Sequence, residues 1–261
     1  MDDQRFFEEA AAANGDRGLE TQKAFPLPKW VDPEKIKAGQ KFIRDHFFSV
    51  IFAHFISLIF LLCYSPVRRV LVRTHKSETS EKAVKRYLST LVHIKLWYEQ
   101  DLLHREGEAA QDVFRIRRVH SRVSRYIEKR CPMKSTVSEA GKCGFAEASH
   151  VITQLDMIVT QFGFMGFVTL FPSKFGIFTE DPTGLEGFIH LWALIGHLLG
   201  IEDRFNLGLE INFPRNRAIL EKILLPELKV GNKDSLELCQ SLVNGMANIV
   251  PFLSFNSVLI F

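Results

Sequence analysis

Two histidines that lie seven residues apart in an apolar segment are the first candidates for chemistry in this chain. His190 and His197 fall within residues 184–206, GLEGFIHLWALIGHLLGIEDRFN. Seven residues make two turns of an α-helix, so both imidazoles project from nearly the same side. A buried polar ring without a hydrogen-bond partner costs about 1–3 kcal/mol. Each imidazole is therefore expected to meet a backbone carbonyl, an acid, a metal or a cofactor.

A non-heme metal site made of His190, His197 and Asp203 is one interpretation of this segment. At about 1.5 Å rise per residue, the two histidines stand about 10 Å apart along the helix axis. That distance is too long for both imidazoles to bind one ion. The spacing therefore favours separate partners for the two rings.

A basic segment, RIRRVHSRVSR at residues 115–125, supplies the second group of candidates. Arg115, Arg118 and Arg122 recur at helical spacing, and His120 lies among them. A solvated basic face accounts for this pattern. A second interpretation is an arginine that points inward and meets a carboxylate or propionate beside a histidine.

His150 and Glu99 complete the candidate residues. His150 stands at the entrance of an apolar segment that carries Gln154, Asp156 and Gln161, and it is either a loop or cap residue or a ligand to a metal or heme iron. Glu99 follows Trp97 and Tyr98, and it is either a surface acid or a general base whose pKa is raised by burial.

Helices must position these residues, because no strand-period run of any length occurs in the sequence. Asp32, Pro33 and Glu34 form an N-cap, a proline in the first turn and an acidic first turn, which predicts a helix opening at Pro33. Further helices are predicted over 77–104, from a cap at Asp112, from about 151 to 171, over 184–199 with Gly200 as its C-cap, over 214–225 and over 235–246. The sequence predicts an all-α fold in a single large helical domain.

A long apolar helix is expected near the N-terminus, over residues 47–64, FFSVIFAHFISLIFLLCY. Its eighteen residues are at the lower limit for crossing a hydrocarbon core about 30 Å thick. His54 and two serines weaken the membrane interpretation, and basic residues flank both ends. The segment is either a buried or monotopic helix or a membrane segment.

Composition excludes some classes of protein. Hydrophobic residues make up 46% of the 261, and 23 are phenylalanine, a bias that suits a helical core, an apolar ligand pocket or contact with lipid. A net charge of +3 is too small to argue for a nucleic-acid partner. The cysteines, Cys63, Cys131, Cys143 and Cys239, show no metal-type spacing, although a disulfide between Cys131 and Cys143 is conceivable. The acidic start lacks a signal-peptide core, so an intracellular, reducing location is expected and secretion is not.

Three segments are predicted along the chain. Residues 1–29 read as a mobile polar leader, residues 30–250 as the helical domain, and residues 251–261 as an apolar tail. Because the tail has no polar ending, a truncated chain or an alternative C-terminus is expected.

The sequence resembles the family of latex-clearing (rubber) oxygenases and the endoplasmic-reticulum-bound oxygenases of fungal mycophenolate biosynthesis, and within it an uncharacterised arthropod branch. The resemblance rests on the basic helix leading to His120, on the TQLDM entry at residues 153–157, and on FIHLWALIGHLLGIEDRFN at residues 188–206. It covers roughly residues 30–250, and the last of these motifs is the most specific.

This resemblance implies a globin-like helical core around a b-type heme and dioxygen chemistry on a hydrophobic substrate, with oxidative cleavage of a carbon–carbon double bond in the characterised members. It implies Glu99 as base, Arg115 as the arginine beside the iron, and His150 as the iron ligand, with His120 or His190 as alternatives. Arg118 and Val119 stand where the rubber enzymes carry a lysine and a threonine. Arginine stays protonated and is a poor iron ligand, so an iron capped by this position is not expected.

Two functions follow as alternatives. The first is a heme-dependent oxygenase, dioxygenase-like, that acts on an isoprenoid or lipid-like molecule and is associated with the endoplasmic reticulum membrane. The second is a non-catalytic, lipid-binding or membrane-associated protein of the same fold, which the missing lysine and threonine favour.

Overall fold

The computed structural model describes residues 2–15, 26–131, 150–178, 181–209, 213–250 and 253–254. The helices follow one another in the order α1 (Asp3–Ala12), α2 (Pro33–Asp45), α3 (Phe47–Cys63), α4 (Ser65–Thr74), α5 (Ser80–Glu99), α6 (Glu108–Arg130), α7 (Gln154–Leu170), α8 (Pro182–Leu199), α9 (Pro214–Ala218), α10 (Leu225–Val230) and α11 (Lys233–Ala247). No strand occurs in these residues, so the prediction of an all-α fold is confirmed.

Part of the predicted leader is a docked helix. The ring of Phe6 in α1 is buried and meets the ring of Phe205 edge-on at 5.5 Å between centroids. Beyond α1, the N–H of Gly15 donates to the Ile152 carbonyl at 2.9 Å, and the N–H of Gln154 donates to the Ala13 carbonyl at 2.9 Å. Residues 2–15 therefore lie against the start of α7. Most of the predicted tail, residues 251–252 and 255–261, lies outside the described residues.

The start of α2 is as predicted. The Asp32 carboxylate accepts hydrogen bonds from the N–H groups of Glu34 and Lys35, and Pro33 occupies the first turn. The helix then crosses α8 at close range: a Cβ on Gly187 would lie 2.4 Å from the backbone nitrogen of Gly39. Glycine at both positions allows the two backbones to touch.

The single long apolar helix expected near the N-terminus is not found. The chain turns by 89° at His46, between the polar α2 and the apolar, 17-residue α3. Within the described residues no one helix has both the length and the apolar character to cross a bilayer, whereas α2 and α3 together pass that test as a bent pair. Most of α3 is buried in the protein, which is where an all-round apolar helix finds its partners.

The bounds of three other helices differ from the prediction. Helix α6 begins at Glu108 instead of at Asp112, and α7 begins at Gln154, where Thr153 and Asp156 form a reciprocal capping box. The helix predicted to end at residue 225 continues through a π-helical stretch, Ile219–Leu224, into α10. Pro226 lacks an N–H and crowds the preceding turn, which is a usual cause of such a distortion.

Helices α3, α7 and α8 form the centre of the core. Trp192, Phe162 and Phe188 are among the largest fully buried side chains. Around these three helices α5, α6 and α11 form an outer layer that buries Tyr98, Val113 and Leu242. The end of α8 is closed as predicted, because Gly200 adopts φ +110° and the N–H groups of Gly200 and Ile201 both donate to the Gly196 carbonyl.

Candidate functional site

The two histidines of α8 have different partners. Nε2 of His190 accepts the backbone N–H of Asp32 at 2.9 Å. Nδ1 of His197 is 2.8 Å from Oδ1 of Asp203, whose Oδ2 accepts the indole N–H of Trp30 at 2.9 Å. The Trp30 ring meets both imidazoles edge-on, at 5.6 and 5.9 Å between centroids. Together these contacts hold the segment before α2 against α8.

This arrangement contradicts a shared metal site for His190, His197 and Asp203. The Nε2 lone pair of His190 accepts the Asp32 N–H and is therefore occupied. Among the three proposed ligands, the contact that the structure shows is the one between His197 and Asp203. Burial, with help from the charge of Lys35, lowers the pKa of His190, which keeps the ring neutral and able to accept. No cluster of three or more His, Cys, Asp or Glu side chains suited to a metal ion occurs in the described part of the chain.

A histidine outside the predicted set lies at the centre of the core. His54 of α3 is buried, and its Nε2 is 3.3 Å from the hydroxyl of Tyr98, which in turn accepts the indole N–H of Trp192 at 3.0 Å. Phe164 stacks on Trp192 at 4.8 Å and meets His54 edge-on at 5.4 Å. These rings lie on four helices, α3, α5, α7 and α8, and pack against one another.

Burial sets the protonation of this network. Desolvation lowers the pKa of His54 to about 3, and it raises the pKa of Tyr98 well above its usual value. Both side chains are therefore neutral near pH 7. The sequence signal for this network is one histidine inside a run of 18 uncharged residues. A buried histidine needs a hydrogen-bond partner, but the sequence does not identify that partner.

Helix α6 turns one arginine inward, and it is neither Arg115 nor Arg118. Arg117 is 6% exposed, and its Nη1 donates to the carbonyl of Leu198 at the end of α8. Its guanidinium lies against Gly200, where a Cβ would be 3.1 Å from Cζ. By contrast Arg115 and Arg118 are exposed, and Arg115 makes an ion pair with Asp112 at 3.2 Å.

His120 shares the inward side of α6 with Arg117, because residues three and four apart lie on one face. Ser121 and Ser124 on this side are buried, and the Nδ1 atom of His120 is buried although the residue is partly exposed. Polar side chains thus line the inner face of α6 from Arg117 to Ser124. The sequence identified His120 as a candidate. It could not show which arginine points inward, because α6 contains six arginines distributed around the helix.

His150 is partly exposed, three residues before the N-cap of α7. The next residue, Val151, is buried against Ile127 and Cys131 near the end of α6. The chain after His150 therefore packs on the half of α6 that follows His120. Residues 132–149 lie outside the described part of the chain, and they include Cys143, the second cysteine of the conceivable disulfide with Cys131.

Glu99 is the last residue of α5, and it is exposed and forms an ion pair with Lys95 one turn earlier. The Glu99 side chain is 40% exposed, so it is a surface acid. The buried acid of this region is Asp112, whose Oδ2 binds Nδ1 of His93 at 2.8 Å and the indole N–H of Trp97 at 2.9 Å. Asp112 joins α5 to α6 and is not the helix cap that the sequence suggested.

The polar residues of α7 have structural partners. Gln161 donates through Nε2 to the Trp192 carbonyl and to Oδ1 of Asn206, and its Oε1 accepts the N–H of Leu207 at 3.1 Å. Gln154 connects the Gly200 carbonyl with the N–H of Glu202. These bonds fix the turn after α8, and they account for the amides that interrupt an otherwise apolar helix.

The residues on the inner side of α6 match the chemistry that a b-type heme requires. Neutral imidazole is a usual axial ligand of heme iron, and a guanidinium is suited to a propionate. His120 and His150 offer the first, and Arg117 offers the second. Val123, Ile127, Val151 and Ile152 belong to one apolar cluster, formed by the end of α6 and the chain after His150.

Comparisons with known proteins show the fold alone. No family model matches the chain, and no curated protein matches it. A solved structure of latex clearing protein in the closed state is similar, with a TM-score of 0.66, 18% sequence identity and alignment of 94% of this chain. The chain spans 66% of the length of that protein. The helical architecture expected from the family resemblance is therefore present.

Proposed function

We propose that this chain is a heme-dependent oxygenase that uses dioxygen on a hydrophobic, isoprenoid or lipid-like substrate. The observation that carries the proposal is the inward side of α6. There a buried arginine, Arg117, and His120 lie on the face that also receives the chain after His150. The fold, which resembles that of latex clearing protein, supports the same reading.

In this proposal His150 or His120 holds the iron of a b-type heme, and Arg117 takes the role first given to Arg115. When bound, the heme supplies the activation of dioxygen. The chain itself would supply the imidazole, orient an anionic group through the guanidinium, and exclude water with the apolar side chains of α6 and α7. His190 is left out of the ligand set because its Nε2 already accepts the N–H of Asp32.

The proposed chemistry is oxidative cleavage of a carbon–carbon double bond. Glu99 is retained as a candidate base that acts at the surface end of α5, where a substrate would have to separate it from Lys95. Arg118 is exposed and is proposed to bind an anionic part of a substrate or membrane.

An association with the endoplasmic reticulum membrane, inside the cell, is also part of the proposal. Phe48 is 81% exposed and Phe47 is 41% exposed at the bend between α2 and α3, and Phe178 is 77% exposed after α7. Exposed phenylalanines beside basic residues such as Lys41 and Arg44 are suited to the interface of an anionic bilayer. A surface of this kind would give an apolar substrate a short path into the protein.

Oxygen uptake tests the proposed activity. Heme-loaded protein is mixed with a short polyisoprenoid and, as a matched control, with the saturated chain of equal length. Uptake with carbonyl products from the unsaturated chain alone is expected, and His150→Ala or His120→Ala should abolish it. Equal rates with both chains, or with heme alone, would contradict the proposal.

A second function, a lipid-binding or membrane-associated protein without catalysis, is favoured by one observation. Glu99, Arg115 and Arg118, which stand at the positions of the family's base, arginine and lysine, are all exposed. In this case a fatty or isoprenoid ligand binds stoichiometrically, and neither heme binding nor oxygen uptake is seen. Equilibrium binding of a fluorescent fatty acid, measured beside the uptake assay, separates the two functions.

A further inference from the structure

Two buried cysteines from distant parts of the chain face each other between α3 and α11. Cys63 and Cys239 are 7% and 4% exposed, and both are free thiols. Sγ of Cys239 donates to the carbonyl of Ile59, one turn before Cys63 in α3, at 3.8 Å. The facing turns of the two helices therefore place both thiols in one buried region between α3 and α11.

An arginine holds these two turns together. Nη1 of Arg68 donates both to the carbonyl of Cys63 and to Oγ of Ser235, each at 2.8 Å. Ser235 lies one turn before Cys239 on α11, so the guanidinium joins the same two turns that carry the cysteines. Its Nη2 also donates to Oγ of Ser65, which fixes the position of the charge.

The surroundings make the two sulfurs unequal. A hydrogen bond with Cys239 and the charge of Arg68 lower the pKa of the Cys63 thiol, against the opposing effects of burial and of Glu227. The same hydrogen bond, with burial, raises the pKa of Cys239. Cys63 is thus the more readily ionised partner, and the thiolate is the nucleophilic form of cysteine.

We propose that Cys63 and Cys239 form an oxidisable dithiol that closes to a disulfide when the protein meets a hydroperoxide. The inference does not depend on the proposed oxygenase function. It follows from the burial of both thiols on facing turns of α3 and α11 and from the arginine that joins those two turns.

The reaction is a two-electron oxidation of the pair. The Cys63 thiolate attacks the terminal oxygen of the hydroperoxide, an S–O bond forms as the O–O bond breaks, and the leaving alkoxide or hydroxide takes a proton. The Cys239 sulfur then attacks the resulting sulfenic acid, and the departing hydroxide leaves as water with the Cys239 proton. In sum, two thiols and one hydroperoxide give one disulfide, one alcohol or water, and one further water.

Closing the disulfide would fasten α11 to α3 across a long loop of chain. A cross-link between residues so far apart strongly restricts the unfolded chain. In a reducing compartment such a bond is transient and returns to the dithiol, so oxidation would reversibly stabilise the C-terminal helix.

Peptide mapping after oxidation tests the proposal. Folded wild-type protein is treated with hydrogen peroxide, quenched, alkylated under denaturing conditions and digested without reductant. A linked peptide pair containing Cys63 and Cys239 is expected, lighter by two hydrogen atoms and separated by dithiothreitol. Oxidised wild-type protein should melt about 5–15 °C higher than the reduced form.

Cys63→Ser and Cys239→Ser should each remove both the linked pair and the shift in melting temperature, whereas the control Cys131→Ser should keep both. Because the mapping is done on wild-type protein, it does not depend on the stability of the variants. Unmodified thiols, singly oxidised cysteines without a cross-link, or a cross-link to another cysteine would each overturn the proposal.

Discussion

Nε2 of His190 accepts the backbone N–H of Asp32 at 2.9 Å, although the two residues are 158 positions apart. Asp32 is the N-cap of α2, so this histidine binds the start of one helix to the side of another. Trp30 lies edge-on to the same ring and donates to Asp203. The most specific segment of the sequence therefore carries residues that dock the chain before α2 onto α8.

Replacing His190 should weaken this docking. His190→Leu leaves the Asp32 N–H without its acceptor, and the free energy of unfolding should fall by about 1–3 kcal/mol. Urea denaturation followed by far-ultraviolet circular dichroism measures the change. His190→Gln, which keeps an acceptor on the side chain, is the matched control and should recover part of the loss. Equal stability of all three proteins would show that the bond contributes nothing.

The buried imidazole of His54 should make the stability depend on pH. In the folded protein its pKa is lowered to about 3, whereas an unfolded imidazole titrates near 6.5. Below about pH 6.5 the unfolded chain binds the extra proton, so stability falls as the pH falls, by up to about 1.4 kcal/mol per pH unit. The loss levels off below the folded pKa. Urea midpoints at several pH values between 4 and 7 measure it.

His54→Gln is the control for this pH dependence, because glutamine retains an acceptor for Tyr98 and does not titrate. The difference in unfolding free energy between wild type and variant should shrink toward low pH. Asp156 acts in the opposite sense, since burial raises its pKa and its contribution is lost as the pH rises. Its effect is common to both proteins and cancels. A constant difference across the range would contradict a neutral, buried His54.

The crossing of α2 and α8 depends on glycine. A Cβ on Gly187 would lie 2.4 Å from the nitrogen of Gly39, a backbone atom that cannot move aside locally. Gly187→Ala should therefore cost about 1–3 kcal/mol or more, despite the helix-favouring effect of alanine. Gly184→Ala is the matched control in the same helix, because its Cβ would meet the Phe42 side chain at 3.0 Å. Chemical denaturation should show a clearly smaller loss for Gly184→Ala.

Arg117 should contribute more to the stability of the fold than the exposed arginines of the same helix. Arg117→Met removes a buried charged donor to the Leu198 carbonyl, and a loss of about 1.5–3 kcal/mol is expected. Arg118→Met changes an exposed residue and should stay within about 0.5 kcal/mol. In the proposed heme site, Arg117→Met should also weaken heme binding while Arg118→Met leaves it unchanged. Thermal denaturation and heme titration on the three proteins measure both effects.

Much of the helical fold could be predicted from local signals. The Asp32 cap, the Gly200 terminus and the apolar period place α2, α7 and α8 within a few residues, because these signals act over one or two turns. The predicted helix bounds were wrong where contacts between distant parts of the chain decide where a helix begins. Asp112 looks like an N-cap, yet it is drawn into the core by His93 and Trp97, and α6 starts four residues earlier.

The candidate site was harder to predict for the same physical reason. At ~100° per residue, Arg115, Arg117 and Arg118 point in directions about 60–160° apart around one helix, so the inward one is chosen by the packing of α6 on α8. The partners of His190 and His54 lie on other helices, far along the chain. Sequence indicated that these imidazoles need partners, but only the fold identifies a backbone N–H for one and a tyrosine for the other.

The most direct test of the proposed function is the absorption spectrum of the full chain, purified after expression with added heme, combined with a pyridine hemochrome assay. We predict a Soret band with about one b-type heme per chain, reduced strongly in His150→Ala or His120→Ala and retained in the control His197→Ala. A protein that stays colourless, or whose heme content is the same in all three variants, would contradict the assignment of a heme site to the inner face of α6.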